Sequence, residues 1–103
     1  MATITLINGV TTTTTSTAQS FDDSVNAAFQ AYGQTSAGAG SATINIQCAN
    51  DTVNWITIGT ITLTLGTAAT SDAIIMQAPW SYVRAVVSAI SGTDASVTVT
   101  MGN

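Results

Sequence analysis

The chain has 103 residues and a net charge of −4, carried by five aspartates and one arginine, with no lysine, glutamate or histidine. Without histidine no Ser/His/Asp arrangement can form, and a lone Cys48 makes no internal disulfide and no zinc or iron–sulfur site, so neither an enzyme nor a cofactor is expected. A single Arg84 cannot neutralise a phosphate backbone or an anionic bilayer, which argues against nucleic acid and membrane as partners.

Thr3 to Ile7 alternate and predict a short strand, followed by an Asn8-Gly9 turn. Met1 to Val10 has no basic n-region and no long apolar stretch, so it does not read as a secretory signal. Thr11, Thr12, Thr13, Thr14 and Thr15 form a β-branched run. It reads either as a solvent-facing edge strand or as an extended arm lying on a neighbouring subunit. Residues 1–20 hold little to bury. They are expected to order by strand addition to a neighbour, while residues 21–103 fold as the sandwich domain without them.

Between Asp22 and Gly33 two periods compete. Val25, Ala28, Phe29 and Tyr32 recur at helical spacing, with Asp22 or Asp23 as a cap and Gly33 as a stop. Val25, Ala27, Phe29 and Ala31 instead share one face of a strand, and the all-β context favours a strand from Ala28 onward. Thr35 to Ser41 (TSAGAGS) reads as a loop, and it lacks the Gly-Lys-Ser/Thr of a phosphate loop. Ile44, Ile46 and Cys48 then face one way and Thr43, Asn45 and Gln47 the other, a half-buried strand with Cys48 in the core.

Asn50 to Asn54 is a turn that leads into Trp55, Ile56 and Ile58. Beyond Gly59 the apolar parity moves to Ile61, Leu63 and Leu65, so Gly59-Thr60 marks a bulge or a break. Gly66 to Asp72 reads as a loop and Ala73 to Met76 as a short strand stopped by Pro79. Trp80 to Ile90 is apolar on both faces apart from Arg84 and Ser88, the pattern of a central strand. Ser91 to Asp94 turns the chain into a last strand carrying Val97, Val99 and Met101. Strands at this spacing predict an all-β fold: a single antiparallel β-sandwich, Ig-like or jelly-roll-like, with about seven or eight strands.

The chemistry-bearing candidates are few. Asp22-Asp23 reads as a solvated turn or cap rather than a calcium or acid/base pair, because neighbours on a strand point to opposite faces. Asn50-Asp51-Thr52 matches a glycosylation sequon but reads as a plain Asx turn. Arg84 in an apolar run is costly unless paired, which predicts a buried or half-buried salt bridge to an aspartate that anchors a loop. Its other reading is a contact with a partner: Trp80, Tyr82 and Arg84 together have the composition of an interface hot spot.

Two stretches carry a family resemblance. ANDTVNWITIGTITL and APWSYVRAVVSAISGTDASVTVTMGN, within residues 35–103, resemble the small β-sandwich structural proteins encoded among the virion genes of tailed bacteriophages. The shared pattern is the Asn-Asp turn before Asn54-Trp55, Ala78-Pro79-Trp80 ahead of Tyr82-Val83-Arg84-Ala85, and the closing Ser91-Gly92-Thr93 turn. The resemblance implies a non-enzymatic component located in the virion and assembled in the host cytoplasm. Such proteins decorate the capsid, form the base of a head fibre or join the tail. Together with the low charge, the small single domain and the arm-like N-terminus, the expectation is a capsid decoration or cement protein that binds the major capsid protein or other virion proteins as a small homo-oligomer, with a trimer favoured. A tail or fibre component is the alternative within the same particle.

Parts of the chain also look like discoidin-type sugar- or lipid-binding modules, where a turn before Asn-Trp and a Tyr-Val-Arg strand recur, although Thr52-Val53 stands where those carry glycine. A carbohydrate-binding module is therefore the second alternative, with Trp55, Trp80, Tyr32 and Tyr82 as its aromatic candidates. Low charge beside abundant β-formers leaves strand edges prone to stick, which favours life inside an assembly.

Overall fold

In a computed structural model, which describes residues 3–20, 26–77 and 81–102, the alternating segments are strands and every pairing between them is antiparallel. They are β1 (Thr3–Val10), β2 (Thr14–Thr15), β3 (Gln19–Ser20), β4 (Asn26–Gln34), β5 (Ala37–Ala49), β6 (Ile56–Leu65), β7 (Thr70–Gln77), β8 (Tyr82–Thr93) and β9 (Ser96–Gly102). One sheet has the order β1-β9-β4-β7 and the other β2-β8-β5-β6, with β3 continuing β2 along β8. With β2 and β3 counted as one strand, the pairs β1·β9, β2/β3·β8, β4·β7 and β5·β6 are the four rungs of one long hairpin rolled over itself. That is the jelly-roll arrangement, and it decides between the two sandwich types the sequence leaves open.

The period of two explains why these segments pair as they do. Along β5, Ala42, Ile44, Ile46 and Cys48 are buried while the residues between them are not. Ile61, Leu63 and Leu65 of β6 and Val83, Ala85 and Val87 of β8 bury the same face of their sheet. Opposite them stand Phe29 and Ala31 of β4 and Val97, Val99 and Met101 of β9, all in one core cluster. The molecule measures 41 × 27 × 17 Å, and the short dimension is that of two sheets packed face to face.

Cys48 lies in this core at 2% exposure, and burial pushes its thiol from 9.0 up to about 11. Thiol reagents at about pH 8 without denaturant are therefore expected to leave it unmodified, as mass spectrometry would report. The folded state keeps a proton that the unfolded chain loses. Stability is thus expected to fall as pH rises from 9.0 towards 11, a loss that Cys48→Ala would remove.

Several boundaries differ from the sequence expectation. Asn8-Gly9 does not turn the chain: β1 runs on to Val10, and Gly9, at φ +60°, forms a bulge whose N–H donates to Thr98 Oγ1 at 3.0 Å. Of TSAGAGS only Thr35 and Ser36 connect strands; Ala37 to Ser41 begin the longest strand rather than a loop. A Cβ on Gly40 would run into the Ser91 carbonyl oxygen, so the glycine is there to let β8 come close. β7 begins at Thr70, inside the expected Gly66–Asp72 loop, because the small polar residues Thr70 to Asp72 pair with Ala31 to Gly33 of β4. β8 likewise runs through the expected Ser91 turn to Thr93, and the reversal is at Asp94, at φ 50°.

The Gly59 break is a bulge. Ile46 pairs with Gly59 and Gln47 with Thr57, leaving Ile58 unopposed. A Cβ at Gly59 would meet the side chain of Ile74, so the same residue also admits β7 beside β6. The strand expected from Ala28 is present in β4. Asp22 to Val25, the Asp22-Asp23 pair and Ala78-Pro79-Trp80 lie outside the described residues.

Residues 3–20 are edges of this chain's own sandwich. β1 pairs with β9 and supplies Ile7 to the core at 4% exposure. β2 and β3 pair with β8, and Ser16 between them both donates its N–H to Ala85 O and accepts from Ala85 N–H through Oγ. The strand addition expected of this segment is thus made to β9 and β8 of the same molecule. Threonine alternation hides this, because Ile4, Ile7 and Val10 keep facing the core only through two bulges.

Candidate functional site

Val83 and Ala85 point into the core, so Arg84 between them must point out of the β2-β8-β5-β6 sheet. Register then decides its company. Gln47 of β5 lies opposite Arg84, and Thr57 of β6 lies opposite Gln47. The row is hydrogen-bonded across all three strands: Arg84 Nε donates to Gln47 Oε1 at 2.8 Å, and Gln47 Nε2 donates to Thr57 Oγ1 at 3.2 Å. The guanidinium also sits 4.2 Å from the centre of the Trp55 ring, a cation–π contact. Among the described residues no carboxylate pairs with it, and its partners there are an amide and an aromatic face.

Trp55 is fixed by the turn before it. The Asp51 carboxylate accepts the N–H of Val53 at 3.0 Å and of Asn54 at 2.8 Å through Oδ1, and the Asn54 amide at 2.6 Å through Oδ2. Thr52 takes a positive φ of 62°, and its carbonyl accepts the indole N–H of Trp55 at 3.1 Å. The Asx turn foreseen in the sequence is therefore a rigid clamp that presents the indole to Arg84.

The hydrogen bonds from Asn54 and Val53 hold the Asp51 carboxyl down at about 2. A depressed carboxyl supports the turn above the ordinary value of 3.8, and that support is lost as pH falls to about 2. Trp55 fluorescence is expected to change over that window in the native protein, and Asp51→Asn should flatten the change.

Around this cluster, Tyr82 lies two residues before Arg84 on the same face, half-buried. Thr15 of β2 pairs with Val86, one row further along the same sheet. Thr14 is half-buried, Thr11 to Thr13 precede the strand and are exposed, and Trp80 lies outside the described residues. Val53 at 74% and Ile56 at 53% exposure put apolar surface at the tip beside the indole. Of the predicted interface residues the fold brings Tyr82, Arg84 and Thr15 to one face. It adds Gln47 and Trp55, which sequence reasoning did not place there. The alternation of β5 gives Gln47 its outward direction, but only the β5·β8 register gives it Arg84.

The opposite sheet carries a second feature. A groove of about 190 Å³ at one end is lined by Tyr32, Gly33, Gln34, Ala69, Ser96 and Thr98, with no charged group. Among the described residues no three His, Cys, Asp or Glu side chains stand close enough to hold a metal ion.

No family model matches the chain, and no curated protein does. Among solved structures it is similar to the crystal structure of PBSX exported protein XepA, with a TM-score of 0.60 over 97% of this chain at 10% identity. This chain spans only 36% of that protein's length, and at such identity the likeness is one of fold.

Proposed function

We propose that this chain is a non-enzymatic structural protein of a phage virion: a capsid decoration or cement protein that docks on the major capsid protein through the Arg84–Trp55–Tyr82 face, as a small homo-oligomer. The observation that carries the reading is the single arginine of the chain, held outward by Gln47 and stacked on a clamped indole. Aromatic–arginine clusters of this kind dominate the energetics of protein interfaces, and a side chain already ordered loses less entropy on docking. The guanidinium Nη groups have the fork geometry to take a carboxylate of the partner. The sequence resemblance to virion proteins and the fold shared with an exported protein of PBSX support the same reading.

The test is quantitative mass spectrometry of purified virions together with binding of the protein to stripped particles. A decoration protein should be present in copies comparable to the shell protein; a few copies per particle would move it to the tail or a fibre. Arg84→Gln is expected to weaken particle binding by roughly 10- to 30-fold, the weight of one hot-spot residue, with an unchanged melting temperature. Undiminished binding would remove this face from the reading. The glycan alternative is favoured by the uncharged groove beside Tyr32, and a glycan array probed with Tyr32→Ala as control separates it.

A further inference from the structure

We infer that the outer face of the β1-β9-β4-β7 sheet is a self-association surface on which two copies pack back to back. The inference takes up the oligomer of the proposed function but does not depend on the particle.

Its first ground is charge. Thr5 of β1, Thr98 and Thr100 of β9, Gln30 and Tyr32 of β4 and Ile75 of β7 all stand on this face by register, and among the described residues no charged one does. Asp72 has the opposite parity on β7, Asp51 and Asp94 sit in turns, and Arg84 is on the other sheet. A two-fold interface sets each residue against its own copy or its near neighbours, so a face carrying even one carboxylate repels itself. With a net charge of −4 per copy, a face on which no described charge stands lets two copies meet while Asp51, Asp72 and Asp94 stay away from the contact.

The second ground is shape. Ile75 is 81% exposed, the most exposed large apolar side chain described, and Tyr32 is 42% exposed. The row that holds Ile75 continues with Ala28 of β4 and Gly102 of β9. A large side chain at the sheet edge therefore stands in the same row as two of the smallest residues, a pattern that lets Ile75 of one copy pack over Ala28 and Gly102 of the other in an isologous contact. Four strands spaced about 4.8 Å apart and about seven residues long give a face of about 450 Å² per copy before side-chain relief is counted. Two copies thus bury close to the roughly 1,000 Å² at which specific interfaces begin, which fits a dimer that dissociates on dilution.

Sedimentation velocity across a dilution series of the purified protein, with no particles present, tests this. The wild type is expected to run as a dimer that dissociates on dilution. Ile75→Lys and Gln30→Lys, both at exposed positions, should weaken the association at least tenfold while keeping the wild-type β-sheet circular dichroism and melting temperature. Arg84→Gln, on the far sheet, should leave the dimer intact. A wild type that is monomeric at about 100 μM overturns the inference. So does an oligomer that tolerates both lysines, or a monomer whose Tyr32 groove binds neutral glycans. Particle binding by a monomer would keep the proposed function and sink the dimer; a lysine-sensitive dimer that ignores particles would do the reverse.

Discussion

Phe29→Ala is expected to lower the free energy of unfolding by about 3–5 kcal/mol. Phe29 is fully buried, the largest of the fully buried side chains among the described residues, and it projects from β4 between its partners β7 and β9 onto the facing sheet. Removing the ring forfeits its transfer free energy and leaves a cavity that the rigid sheets on either side cannot close. A domain of this size has about 5–15 kcal/mol in all, so the loss is a large share of it. At about 4–8 °C per kcal/mol, the thermal midpoint should fall by roughly 15–30 °C. Ile75→Ala, at 81% exposure, serves as control and should change monomer stability by no more than about 0.5 kcal/mol. Equal midpoints for the two variants would show that Phe29 does not sit between the sheets.

The alternation of Ile44, Ile46 and Cys48, the parity change at Gly59 and the strand through Phe29 were legible because period-two burial is a local signal. Glycine was misread where its reason is spatial. Gly40 and Gly9 look like loop and turn residues, yet one admits the Ser91 carbonyl and the other forms a bulge within β1. Sequence marks that a Cβ is missing without saying which neighbour needs the room. The choice of jelly roll over an Ig-like order was not legible either, because β1·β9 and β5·β8 join strands far apart in the chain. For the same reason neither the outward direction of Arg84 nor its partners Gln47 and Trp55 could be read: a segment apolar on both faces gives parity no side to choose, and partners follow from register.

Deleting residues 1–20 is expected to abolish the fold rather than trim an arm. Ile7→Ala alone should cost about 2–5 kcal/mol, because Ile7 is buried against the core cluster. The deletion also removes the partly buried Ile4, Leu6 and Val10 and strips the backbone partner from β9. It takes β2 and β3 from β8 as well, leaving both sheets with a new open edge. Summed, these losses reach the whole stability of a small domain, and the uncharged edges left behind favour aggregation. The 21–103 fragment should therefore be insoluble or lack a cooperative melt. A synthetic peptide of residues 1–20 added in trans should restore part of the β-sheet signal, since it pairs as strands on β9 and β8. If the fragment instead melts cooperatively within a few degrees of the full chain, β1 contributes little to the core. The segment would then be free to leave its own sandwich and pair with a neighbour.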